Sequence, residues 1–516
     1  MNTLPLTARL PLATQLSLVT QLALATQLVL IISTVLLLSG CVSPPKTAAP
    51  QQPLNTGNLG LSHTQTPSVA EGWWKVFGDS QLNRLIDQAL ANSPSLGEAL
   101  VRVRGAQAQA IAAGAKLRPG ISLDGEETYQ RLSENYIYPP AEAGMGVAGG
   151  DKVWMGQLSA NLSWDLDFWG QQADLLKQAR NNVLAAELDT ASARLALSGA
   201  LAQSYVDLFR AYAIADIASQ TEKQREILLK LTQGRVNAGL DTHIELKLAE
   251  AALPQARNAR LQAEIQRDLA IHNLAALSGQ GANAYADIGR PHITPDTTLP
   301  LPTELTLDLL SRRPDILAAK ARVEAATAGR DAAKEAFYPD INLKAFVGVQ
   351  AVGLDKLTHS GSAIYGAGPA LHLPLFDSQR LKAGYLGAGA ELDDAVSRYN
   401  ETVLKAIRDA ADQLSRHESL QQQLRETNHT LAATEAAYAL AQSRYKAGLS
   451  NQLTLLNTET QLLNARRDLV NLNTQLLITR VTLLLTFGGS FDANKYSTTV
   501  HSPSLSPVLA QGAHHE

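Results

Sequence analysis

A single cysteine, Cys41, in 516 residues excludes an intramolecular disulfide and any cysteine-based metal cluster. Aromatic residues make up only 5%, while Ala, Leu and Gln are abundant, a balance that favours long helices over a compact mixed core. Basic residues are not in excess: 44 Lys and Arg against 48 Asp and Glu leave a net charge of -4, so there is no electrostatic footprint for nucleic acid. No glycine-rich phosphate loop ending in Gly-Lys-Ser/Thr occurs. Convergent catalytic chemistry is also lacking. Asp165 and Asp167 form an acid pair, but one set between a strand and a helix; His243 and His272 have no partner at metal-ligand spacing; His514-His515-Glu516 ends a Ser/Pro-containing tail. The chain is therefore expected to be neither an enzyme nor a holder of metal or cofactor.

What the chain does have is written twice. Residues 94–123 align without a gap on 314–343, pairing Pro94 with Pro314, Arg102 with Arg322, Ala113 with Ala333 and Pro119 with Pro339. Further on, Arg235-Val236-Asn237-Ala238-Gly239-Leu240 answers Arg444-Tyr445-Lys446-Ala447-Gly448-Leu449 at an offset of 209, a register kept through Glu250/Glu459, Ala256/Ala465, Arg257/Arg466 and Gly279/Gly488. One unit of roughly 200 residues occurs twice, so one architecture built from two halves is expected.

The apolar run Leu28–Leu38 is shorter than a transmembrane helix and has the length of a signal-peptide core. It leads into Leu38-Ser39-Gly40-Cys41, which resembles a bacterial lipoprotein box, where cleavage before the cysteine leaves its sulfur to carry diacylglycerol. Val42 after the cysteine, where retained lipoproteins have Asp, implies the outer membrane. Three acyl chains, at about 0.8 kcal/mol per buried methylene, would anchor the mature chain firmly. The segment before this run carries only Arg9 and holds three Thr-Gln-Leu triplets six residues apart, for which there is no physical account.

Residues 42–70, rich in Pro, Thr, Gln, Ser and Gly, read as an extended tether. Trp73-Trp74 then precede Ser80, expected to cap a helix over 81–91, and a second helix is expected over 95–116. Past Pro119 the period changes to two. Trp154, Gly156, Leu158, Ala160, Leu162 and Trp164 alternate with polar Gln157, Ser159, Asn161 and Ser163, giving a strand with one oily and one wet face. Its partner lies at about 120–131, and the second half repeats the pair at about 340–351 and 362–373. Some ten residues of alternation with aromatic ends is the signature of a transmembrane strand. Four strands cannot close a barrel, so several chains must pool them, and three would supply twelve. Each pair is followed by an unbroken helical stretch, about 171–237 and 378–446, reaching about 100 Å at 1.5 Å per residue. Tight reversals at Gly239 and Gly448 lead into return helices at about 244–278 and 453–487. Leu455, Leu462, Leu469, Leu476 and Leu483 recur every seven residues beside a second stripe, predicting a left-handed supercoil with neighbours on two sides. Pro254, where the second copy has Leu463, predicts a kink.

This plan resembles the TolC-type outer membrane efflux proteins. The stretches Trp73-Trp74-Lys75-Val76-Phe77-Gly78-Asp79, Trp164-Asp165-Leu166-Asp167-Phe168-Trp169-Gly170, Ser311-Arg312-Arg313-Pro314-Asp315-Ile316, Phe337-Tyr338-Pro339 and Leu373-Pro374-Leu375-Phe376-Asp377 are similar to its NodT-like lipoprotein branch. The Tyr138-Pro139-Pro140 loop is similar to multidrug-resistance members. The resemblance implies a mainly α fold with transmembrane β: a duplicated protomer whose long antiparallel helices form an α-barrel and whose four strands enter a trimeric twelve-stranded β-barrel. It implies a signal peptide at 1–40, a lipid-anchored tether at 41–78, efflux repeats at 79–290 and 291–490, and a disordered tail at 491–516. It also implies a homotrimer in outer membrane lipid, extending into the periplasm as a passive duct. A periplasmic adaptor would dock at the tip turns, Gly239, Leu240, Gly448 and Leu449, and join it to an inner membrane pump exporting drugs or other small toxic molecules.

In relatives, acidic rings near these turns set selectivity. After the second turn the matching positions are neutral Thr454 and Asn457; after the first, Glu245 matches and Asp241 is nearby, giving a candidate ring. The same two acids also suit a plain helix start. A lipid-anchored coiled-coil tether without a pore is the alternative function, and it leaves the alternating strands unused. Planar-bilayer recording of the double substitution Glu245→Gln with Asp241→Asn is expected to show weaker cation preference; an unchanged preference would sink the ring.

Overall fold

The computed structural model describes residues 44–46, 48–55, 57, 59–62, 69, 71–135, 150–294, 304–306, 308–374 and 377–497. The signal segment, Cys41, the Tyr138-Pro139-Pro140 loop, Leu375-Phe376 and His514-His515-Glu516 lie outside the described residues. The elements are α1 Ser80–Asn92, α2 Pro94–Ala115, β1 Gly120–Arg131, β2 Lys152–Asp165, α3 Gln171–Asn237, α4 His243–Leu277, α5 Asp308–Arg312, α6 Pro314–Glu335, β3 Asp340–Val352, β4 Ala363–His372, α7 Ser378–Lys446, α8 Gln452–Thr486 and α9 Asn494–Ser497. The expected strands and long helices all appear, within about two residues of the expected ends. The chain divides into two compact units, one built around 109–179 and 325–393, the other from 51–108, 180–324 and 394–516.

The first unit holds the sheet, four antiparallel strands in the order β1-β2-β3-β4. At its strand-to-helix turn Asp167 adopts φ 43°, a left-handed conformation that aspartate tolerates. Its carboxylate accepts from the amides of Gln172 at 2.8 Å and Ala173 at 2.9 Å, capping α3, while Asp165 accepts from the Asp167 amide at 3.1 Å. The acid pair is thus turn chemistry. Gly348 faces β2 with no room for a side chain: a Cβ there would strike the Leu158 carbonyl.

The second unit has a helical core. Trp73, Trp74 and Phe77, on a short 3₁₀ turn, pack with Leu82, Leu85 and Ile86 of α1 against Leu201, Tyr205 and Leu208 of α3, Leu274 of α4, and Leu477, Val481 and Leu484 of α8. The doubled leucine stripe of α8 therefore feeds a real core, with Leu455 and Leu462 also buried. Pro254 sits on an exposed side of α4, and the helix continues through it. The N-terminal segment is not a free tether. Asn400 of α7 accepts from the Leu54 amide at 2.9 Å and donates to the Gln52 carbonyl at 3.4 Å, Leu54 and Leu59 pack against Ile316, Val403 and Ala406, and Ser62 pairs with Thr306. Nor is the tail loose from 491: Phe491 stacks on Tyr496 at 5.4 Å.

The cap of α1 falls one residue earlier than expected. Asp79, not Ser80, accepts from the Gln81 amide at 2.9 Å, and it also takes the Tyr205 hydroxyl at 2.6 Å and the His292 amide at 2.7 Å. Burial opposes its charge, but the hydrogen bonds from Tyr205, His292 and Gln81 prevail and hold the carboxyl below its ordinary range. A depressed carboxyl stabilises the fold above its unfolded pKa, and that contribution is lost as pH falls through the folded one. Tyr205→Phe is expected to cost about 1–3 kcal/mol by thermal unfolding at neutral pH, and Asp79→Asn to flatten the acid limb of stability against pH.

Candidate functional site

Register decides what the sheet can do. Pairing places Ile121, Leu123, Gly125 and Tyr129 of β1 beside Leu162, Ala160, Leu158 and Trp154 of β2. The same side continues through Leu343, Ala345, Val347 and Val349 of β3 to Pro369, Ala367, Tyr365 and Ala363 of β4. Between its aromatic ends this side carries one charged residue, Glu127. Its side chains stand open in a single chain, with Ile121 75% and Tyr365 82% exposed. The other side carries Ser122, Asp124, Glu126, Gln157, Ser159, Asn161, Ser163, Asn342 and Lys344. There Asp124 accepts from Ser122 at 2.8 Å and Asn161 at 2.7 Å, and Ser163 donates to Asn342 at 3.0 Å. Apolar exceptions on this side are Phe346, lying across Gly366, Ile364 opposite Gly348, and Met155 paired with Val352 at the loop end.

The dry side ends in aromatics. Tyr129 and Trp154 lie 5.0 Å apart at the loop end. Beyond the other end, Trp169 stacks on Tyr338 at 5.0 Å, and the Trp164 indole donates to the Leu117 carbonyl at 3.2 Å. From Trp154 to Trp164 the strand covers about 33 Å at about 3.3 Å per residue, and a tilt of about 40° shortens this to about 25 Å, the height of an outer-membrane apolar band. Strands β1 and β4 each keep one unpaired edge.

In the second unit the helical turns form a tip. Gly239 has φ 70° and Gly448 φ 78°, conformations glycine adopts freely. In the first turn the Leu240 amide donates to the Arg235 carbonyl at 2.9 Å and Gly239 to Val236 at 3.0 Å; Leu449 to Arg444 at 2.8 Å and Gly448 to Tyr445 at 3.0 Å repeat it in the second. Both halves therefore end their long helix by the same device, and Leu240 and Leu449 are left exposed.

The candidate carboxylates occupy different surroundings. Arg235 grips Asp241 with two bonds, 2.7 and 3.0 Å, while its guanidinium carbon lies 4.8 Å over the Tyr445 ring. The fully buried Tyr445 donates its hydroxyl to Asp241 at 3.0 Å and lies 3.4 Å from Thr232, which accepts from Gln452 at 3.4 Å. The Arg235 hydrogen bond holds the Asp241 carboxyl low, and Asp241 in turn raises Arg235. Glu245 is half-buried and forms a capping box with Thr242, whose hydroxyl bond lowers its pKa; its carboxylate also takes the Thr242 amide at 2.9 Å. Ten residues before Arg235 on the same helix, Arg225 meets Glu459 at 2.9 Å with both nearly buried, and burial raises the Glu459 carboxyl despite the arginine. Sequence reading missed Arg235, Tyr445, Thr232, Gln452, Arg225 and Glu459. Tyr445 opposite Val236 in the aligned turns was the one visible signal; nothing in the sequence separates Glu459 from its counterpart Glu250.

A sheet with a dry and a wet side, two open edges and twin long helical hairpins defines the subunit of a membrane channel assembled from several chains. The chain belongs to the outer membrane efflux protein family, whose profile matches residues 85–280 and 305–489. It is 32% identical over 415 residues to the multidrug resistance outer membrane protein MdtP of Shigella flexneri, covering 78% of this chain and 84% of that protein. It is 36% identical over 322 residues to the fusaric acid resistance protein FusA of Burkholderia cepacia, covering 62% and 59%. Among solved structures, the outer membrane protein VceC of Vibrio cholerae matches with TM-score 0.76 and 34% identity over 82% of this chain and 100% of that one. The Campylobacter jejuni CmeC channel matches at 21% identity with TM-score 0.78, a likeness of fold.

The Arg235, Asp241 and Tyr445 network persists only while Asp241 is ionised, so it is present above the ordinary carboxylate pKa and lost as pH falls through the lowered one. Thermal stability is expected to fall on strong acidification, and Asp241→Asn to be less stable at neutral pH with a flatter acid limb.

Proposed function

We propose that three copies of this chain form an outer membrane efflux duct, each contributing four strands to a twelve-stranded barrel and two hairpins to a ring of helices. The register carries this reading. The apolar side can face lipid, the polar side water, and the open edges are satisfied only by strands of another copy. Multidrug and fusaric acid resistance in the names of its relatives supports drugs or similar small toxic molecules as cargo. The duct is passive, fed by an inner membrane pump through a periplasmic adaptor that docks at the turns bearing Leu240 and Leu449. Acylation at Cys41, after removal of 1–40, adds the outer membrane anchor, and 79–290 and 291–490 are the two repeats. Of the candidate ring, Asp241 is largely neutralised by Arg235, so the ring's charge rests on Glu245.

Unheated gel electrophoresis and bilayer recording of the purified protein test the reading together. A trimer that resists detergent and conducts is expected. A water-soluble elongated oligomer without conductance after removal of the N-terminal segment would favour a tether instead.

A further inference from the structure

Conduction makes no use of the charges at the loop end of the sheet. One rung pair beyond the aromatic contact of Tyr129 and Trp154, the register sets Arg131 of β1 directly opposite Lys152 of β2. Alternation places both on the side of Tyr129 and Trp154, the apolar side, and both are exposed. Facing residues have Cβ atoms about 4.5–5.5 Å apart, and like charges at that spacing repel. The opposite end of the same side has no such pair: Ile121 faces Leu162, and Ile341 faces Leu371.

A second segment folds onto the same region. After β3 the chain makes a 3₁₀ turn, Leu354–Lys356, with the Gly353 amide donating to the Trp154 carbonyl at 2.7 Å. Leu354 and Leu357 lie over Gly156 on the apolar side: a Cβ there would come within 3.1 Å of Leu354 and 3.5 Å of Leu357. Leu354 remains exposed, and so does Lys356 between the two leucines. Neither Lys152 nor Lys356 has an ion-pair partner among the described residues. Three acids lie close in the chain, Glu134, Asp151 and Asp355. Among the described residues Glu134 alone bonds to a cation of this set, Arg131, in an exposed pair worth little.

Helices α2, α3, α6 and α7 join the strands at their other ends. In an outer membrane protein whose helices extend into the periplasm, the loop end faces the outer leaflet. Resting on the reading of the apolar side as lipid-facing, we propose that Arg131, Lys152 and Lys356 form a site for the phosphate of an outer-leaflet lipid, with its acyl chains along Trp154, Leu354 and Leu357. A phosphate between Arg131 and Lys152 replaces their repulsion with charge-assisted hydrogen bonds, two of them from the arginine fork. Free phosphate brings the same charge but leaves the exposed leucine and indole beside the site uncovered, so the occupant is a lipid.

Native mass spectrometry of the purified full-length protein in neutral detergent tests the site, with bis-phosphorylated lipid A, its dephosphorylated form and inorganic phosphate as probes. Lipid A is expected to be retained with about tenfold preference over the dephosphorylated form. Arg131→Gln with Lys152→Gln should weaken its binding about tenfold, and Glu134→Gln, which frees Arg131, should strengthen it about twofold. Should the double variant fail to fold, Lys152→Gln alone changes an exposed side chain and is expected to weaken binding about threefold. Equal retention of the dephosphorylated lipid, or unchanged affinity in a folded variant, would overturn the site. Displacement of lipid A by an equal concentration of inorganic phosphate would assign the cations to the free ion and overturn the lipid. A protein that neither trimerises nor conducts would instead count against the duct, a result read separately from lipid retention.

Discussion

The structure depends on one constraint: hydrocarbon offers no hydrogen bonds, so each backbone amide and carbonyl held in it must find a partner in protein. The sheet pairs six of its eight strand edges internally and leaves β1 and β4 with an unpaired edge each. An ordinary soluble protein blunts such edges with charge or proline. Here Pro369 sits within β4, but on the dry side, in a row with Leu343, where it adds apolar surface. The edges are kept usable, and the oily side is kept oily, because both are completed by other copies. Duplication serves the same end, since each repeat delivers two strands and the helices that follow them.

Much of this was legible in the sequence because it rests on periodicity. Alternation from Trp154 to Trp164 located the strand and its faces, and the absence of breakers located α3 and α7. Features set by a few atoms were less legible. Asp79 and Ser80 have equal capping chemistry by residue type, and the choice fell to Asp79 because Tyr205 and the His292 amide, far away in the chain, converge on its carboxylate. Asp165 and Asp167 resembled a reactive pair until the left-handed turn showed one holding the other's amide and the second capping a helix. The tip network joins residues more than 200 positions apart, a distance at which no local pattern carries information.

Glu250 and Glu459 show how far identical residues can diverge. Both sit at the same point of a return helix. Glu250 is a surface acid beside Lys247 at 2.7 Å, an exposed pair worth little. Glu459 is enclosed, its Oε1 without a hydrogen-bonding partner among the described residues, and it depends on Arg225 for its charge. Replacing an enclosed ion pair with apolar residues often stabilises a protein, so the pair is better understood as specifying alignment between two helices than as strengthening them. The duplication supplied two similar surfaces, and a few substitutions in α3 made one of them particular.

Asn400 holds the backbone at both Gln52 and Leu54 with one side-chain amide, in the manner of a neighbouring strand, although it projects from a helix. With Leu54 and Leu59 seated beside Val403 and Ala406, the chain is moored well before it reaches α1. Any pull on residues ahead of Gln51 is consequently delivered to the flank of α7 and spread along a 69-residue rod, and the Trp73-Trp74 core beyond the mooring is spared it.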